Sequence, residues 1–174
     1  MRTFESVIRC VAAILLGAVL VAGCNDAEIC ERDCPRVGGI FQVDSSTMTQ
    51  SCAFEPWLFG PTIELVQSED TAGVRTSVID PVNQLPVTLA GQVIRPDDPK
   101  IAGFQMRTET SRQATRNDPT VGRFELIFNG SVSHEEDRAQ LNATLTMTEL
   151  VTQGQSCQSV LQVVGREASG GTGP

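Results

Sequence analysis

Two stretches of the chain alternate apolar and polar residues with a period of two. In the first, Phe124, Leu126, Phe128, Gly130 and Val132 alternate with Arg123, Glu125, Asn129 and Ser131. In the second, Leu141, Ala143, Leu145 and Met147 alternate with Asn142, Thr144, Thr146 and Thr148. Successive side chains of a strand point to opposite faces, so each stretch reads as a strand with one buried and one wet face. Asn129-Gly130 is a type I′ hairpin signal, yet the alternation runs through it to Ser133. The turn is therefore expected at Glu135 to Arg138, which makes the two stretches long partners.

Shorter runs of the same kind recur on both sides. Phe41 and Val43 share a face within Gly39 to Val43, as do Ile63 and Leu65 after Pro61. Val74, Thr76 and Val78 precede a turn at Asp80 to Asn83. Val87, Leu89, Gly91 and Val93 precede Arg95-Pro96-Asp97-Asp98-Pro99, whose prolines end a ladder. Ile101 to Thr110 reads as a weaker strand before the break at Asn117-Asp118-Pro119, and Leu161, Val163 and Gly165 form a closing strand. About eight two-faced strands with turn clusters between them predict an all-β fold. A meander barrel of about eight antiparallel strands is the first expectation, since closure removes exposed edges; a two-sheet β-sandwich is the alternative. No helix is expected after the N-terminal segment.

That segment has a different pattern. Arg2 and Arg9 precede an apolar run from Val11 to Val21, shorter than the roughly 20 residues a membrane-spanning helix needs. A positive start, a short apolar run and small residues are the parts of an export signal. The run closes on Leu20-Val21-Ala22-Gly23-Cys24, which resembles the lipobox of bacterial lipoproteins. The resemblance implies a cleaved signal over 1–23 and a Cys24 that carries a diacylglyceryl group on its thiol and a further acyl chain, such as palmitate, on its amine. Two or more chains make a stable membrane anchor. Residues 24–37 then form a lipidated tether, 38–168 the β-barrel domain and 169–174 a Gly-rich disordered tail. Asn25, where Asp would favour inner-membrane retention, implies the outer membrane of the cell envelope.

In strand number and closure the barrel resembles the lipocalins. Gly39-Ile40-Phe41 stands where that family carries Gly-x-Trp, so only the architecture transfers. The resemblance raises a small apolar ligand as a candidate cargo. Phe54, Trp57 and Phe59, with Leu58 between Pro56 and Pro61, form an aromatic loop after the first strand. It would serve either as a lid that touches ligand or as a plug over an open barrel end.

Composition narrows the chemistry. A net charge of -8 disfavours nucleic-acid partners, and with Lys100 as the single lysine and no tyrosine, few nucleophiles or bases are on offer. Apart from Cys10 in the signal and Cys24, the cysteines are Cys30, Cys34, Cys52 and Cys157. Four thiols in an exported chain read as two disulfides with three possible connectivities. Cys52 with Cys157 is preferred, tying the first strand's exit to the last strand's start, with Cys30–Cys34 as a local clasp. A zinc site at Cys30 and Cys34 would need two further ligands, and His134 is the only histidine; no metal or cofactor is expected. His134 beside Glu135, Glu136 and Asp137, the Asp97-Asp98 pair and the Glu69-Asp70 pair read as solvated turns, and no G-x-S-x-G elbow occurs. The expected function is a non-enzymatic binding or interaction module of the envelope, held to the membrane by lipid, its protein partner unidentified. The alternatives are an envelope hydrolase using acidic loop residues and a purely structural surface lipoprotein.

Overall fold

The computed structural model describes residues 28–31, 33–68, 72–95, 98, 100–112, 122–135, 138–150 and 156–168. The expected signal, Cys24, Glu69, Asp70, Asp97, the break at Asn117 to Pro119, Glu136, Asp137 and the tail lie outside the described residues.

The strands are β1 Glu28–Ile29, β2 Gly39–Gln50, β3 Thr62–Gln67, β4 Gly73–Ile79, β5 Pro86–Arg95, β6 Ile101–Arg112, β7 Gly122–Glu135, β8 Arg138–Glu149 and β9 Gln158–Glu167. From β2 to β9 each strand pairs antiparallel with the next, and β9 pairs back to β2. The sheet is thus a closed eight-stranded antiparallel meander barrel rather than a sandwich. The turn between the two long partners falls where expected: β7 ends at Glu135, β8 starts at Arg138, and the pairing is unbroken from Phe124↔Glu149 to Glu135↔Arg138.

Connections in a meander alternate between two ends. The β2–β3, β4–β5, β6–β7 and β8–β9 connections lie at one end, called here the plug end. The other connections lie at the tether end, together with the residues that precede β2. There β1 pairs with β5 through Glu28↔Arg95 and Ile29↔Ile94, just past Gln92, the last β5 residue that β4 reaches from Gly73. The expected tether therefore contributes a short strand to the barrel wall.

Inward-facing side chains fill the barrel in rows. One row passes through Gly91, Met106, Phe128, Leu145, Leu161 and Met48, and Met106, Phe128 and Leu145 in it are inaccessible to solvent. Glycine enters these rows because neighbouring backbones press close, not because the chain turns. A Cβ on Gly91 would collide with the Gln105 carbonyl oxygen, and one on Gly130 with that of Asn142. Asn129-Gly130 is therefore a close-approach site in mid-strand, and the hairpin signal it carries is overridden by burial on both sides.

Two strands are longer than their patterns suggest. β6 runs the full Ile101–Arg112 and pairs with β7 over its whole length. β2 continues past Val43 to Gln50, with a bulge between Val43 and Ser45. Its second half, Ser45-Ser46-Thr47-Met48-Thr49-Gln50, shows no alternation because neither of its faces is fully buried; β3 pairs with Gly39 to Gln42 alone.

Candidate functional site

The aromatic loop after β2 folds over the plug end and into the barrel. Trp57 is fully buried and Phe54 nearly so. Both meet Phe124 of β7, with ring centroids 4.9 Å and 5.0 Å away in edge-on geometry. Phe59 reaches further in, its ring 4.7 Å from that of Phe128, and stays half-buried. Aromatic pairs at these separations favour tilted and edge-on contacts, each adding about 0.5–1.5 kcal/mol beyond area burial. The return segment is fixed beside β4 by a two-way bridge between Leu58 and Ile79. The three expected ligand-contact residues are thus brought together as a stopper packed on the core.

Above Trp57 lies a group the sequence pattern did not single out. Arg112, at the end of β6, and Asp80, just after β4, form a buried ion pair with side chains 1% and 4% exposed. The guanidinium donates from Nε to Oδ2 at 3.2 Å and from Nη2 to Oδ1 at 2.8 Å, while Nη1 donates to the Glu55 carbonyl at 3.1 Å. Its flat face covers the Trp57 ring with Cζ 4.0 Å from the centroid. Asp80 also accepts from the Val82 amide at 3.0 Å. One cation thereby ties together the ends of β4 and β6 and the plug loop, using the planar fork and stacking that lysine lacks. The only sequence signal was the type of residue: an Arg at an inward-facing strand position demands a buried partner.

Two buried polar atoms have no hydrogen-bond partner among the described residues, the Trp57 indole nitrogen and the Ser159 hydroxyl. Ser159 opens β9 on the inward face, opposite Met147 and Gln50. A buried hydroxyl without a partner keeps its desolvation cost. Ser159→Ala is therefore expected to raise stability by about 1 kcal/mol, read as an increased urea midpoint at unchanged slope. A fall in the midpoint would show that the hydroxyl is satisfied in solution, by ordered water for instance.

At the tether end an open cleft of about 1390 Å³ is lined by Asp98, Lys100, His134, Glu135, Arg138 and Arg166, among others. The structure thus brings Asp98 and His134 to one place, but both hold the chain. The His134 ring Nε2 donates to the Arg36 carbonyl at 2.8 Å, and its main-chain amide donates to the Lys100 carbonyl at 3.0 Å. Asp98 Oδ1 accepts from the Lys100 amide at 2.9 Å, closing its own turn. Arg166 is paired with Asp44 at 2.7 Å. No three of His, Cys, Asp and Glu converge on a point that would hold a metal ion, among the described residues.

Both disulfides are present. Cys30–Cys34 clasps the segment after β1, and Cys52–Cys157 joins the exit of β2 to the start of β9 at the plug end. Beside the second bridge the Ser51 hydroxyl donates to the Gln158 carbonyl. Comparison with protein-family models, curated proteins and solved structures returned no match, so the site rests on its own geometry.

Proposed function

We propose that this protein is an exported, lipid-anchored β-barrel of the bacterial outer membrane that works as a non-enzymatic interaction module, presenting its outer surface and plugged end to partners. The observation that supports this reading best is the plug itself. Phe54, Trp57 and the Arg112–Asp80 pair close one end of the barrel, and Met106, Phe128 and Leu145 fill its middle. That filling favours a surface that touches partners over a hollow vessel for a small apolar ligand. In the cleft at the opposite end, His134 and Asp98 are both engaged with the backbone, which is poor provision for a hydrolase.

The anchor sets the orientation. Glu28, in β1, is the fourth residue after Cys24, and four extended residues reach at most about 14 Å. The tether end therefore sits against the membrane and the plug end faces away from it. Cys24→Ser tests the anchor directly. Metabolic labelling with a radioactive fatty acid should disappear, and the protein should leave the membrane fraction. Labelling that survives in the variant would refute lipidation at Cys24, and with it the orientation.

A further inference from the structure

A closed barrel has no strand edges, yet half of β2 keeps one. β3 reaches β2 only from Gly39 to Gln42, and the last main-chain bond on that flank runs from the Val43 amide to the Pro61 carbonyl at 3.0 Å. Beyond the bulge, β2 pairs with β9 alone, and among the described residues nothing pairs with its other flank. The Ser51 amide bonds to Gln158 of β9, so by the alternation of a ladder Ser45, Thr47 and Thr49 face β9. Ser46, Met48 and Gln50 therefore direct their amides and carbonyls outward. Solvent reaches this place from the side: Ser46 is exposed although its register partner Val163 is 2% exposed.

Edges of natural sheets are guarded by lysine, proline, inward charges or covering loops. Ser45 to Gln50 carries none of these residues, in a chain of net charge -8. Only the neighbouring Asp44 is charged, and it is already neutralised by Arg166. We infer that this edge pairs with the same edge of a second copy of the chain, antiparallel and centred on Met48. In that register each Met48 exchanges both main-chain bonds with its counterpart, and Ser46 does so with Gln50. Thr47 lies opposite Thr49, a β-branched cross-strand pair of a kind that stabilises sheets. The segment's own symmetry decides for a second copy: read in either direction from Met48, Ser46-Thr47-Met48-Thr49-Gln50 sets threonine against threonine and one uncharged polar residue against another, so the pairing adds no repulsion to that between two chains of net charge -8. The inference does not depend on the anchor.

The test uses two differently tagged full-length copies expressed together, one carrying Thr47→Cys and the other Thr49→Cys. A disulfide-linked species bearing both tags on a non-reducing gel is the expected result. Met48→Pro, which removes one outward amide and should be tolerated at an edge, is expected to abolish it. Thr47→Lys with Thr49→Lys, in both copies and without the added cysteines, should likewise abolish co-purification of the tags, by placing lysines opposite each other on an exposed face where folding is not at stake. Absence of the mixed species, its persistence in the Met48→Pro background, or co-purification that survives the lysines would each overturn the inference. Cross-linking of the Thr47→Cys copy to a different protein alone would also overturn it, and would assign the edge to an extended segment of another partner.

Discussion

Asp80→Ala is expected to lower the stability of the barrel by about 3–5 kcal/mol, because it leaves a buried guanidinium without its counter-ion. Native domains are stable by about 5–15 kcal/mol in all, so the loss is a large part of the whole. The single tryptophan makes it easy to follow: Trp57 lies directly under Arg112, and its fluorescence should report both unfolding and any local loosening of the plug. The contrast within the molecule is instructive. The Arg166–Asp44 pair is as short, at 2.7 Å, but its side chains are 64% and 33% exposed, and such surface pairs contribute at most about 1 kcal/mol. Burial makes the difference, by making the broken pair expensive rather than the intact pair strong. It follows that Asp80→Leu combined with Arg112→Met should cost less than Asp80→Ala alone. A double variant less stable than the single would show that the ion pair itself, and not the orphaned charge, dominates.

The second large effect belongs to the bridge at the plug end. Cys52 and Cys157 are 105 residues apart in sequence, and a cross-link over about 100 residues stabilises by about 4.7 kcal/mol in the chain-entropy treatment. Replacing both by serine should therefore lower the urea midpoint strongly, whereas replacing Cys30 and Cys34, separated by four residues, should lower it far less. Equal losses would mean that the long bridge acts mainly through native packing, since both partners are half-buried against the core. The two effects should be nearly additive if Asp80 and the bridge act independently.

The alternation of Phe124 to Val132 and of Leu141 to Met147 made the longest hairpin legible from sequence, because a period of two on a half-buried sheet has no competing reading. The same logic located Leu89 and Val93 on one face, and both are fully buried. It did not reach the second half of β2, since a strand with no fully buried face need not alternate. Nor could it reach β1, two residues long, whose strand character comes from the end of β5 rather than from its own residues. At the plug end the aromatic cluster was visible as composition in one loop. The partner of Arg112 was not, because Asp80 is 32 residues away and meets it only once strands of set length bring their ends to the same height.

The pairing order of the barrel also has a consequence for how it is made. Every strand from β2 to β8 finds its next partner immediately downstream, so hairpin after hairpin can form as the chain emerges amino end first. Two pairings cannot form this way, the short one of β1 with β5 and the long seam of β2 with β9, the most distant strands of the closed barrel in sequence. β2 must wait for β9, holding its flank from Phe41 to Gln50 unpaired until that strand arrives and Cys157 comes within reach of Cys52.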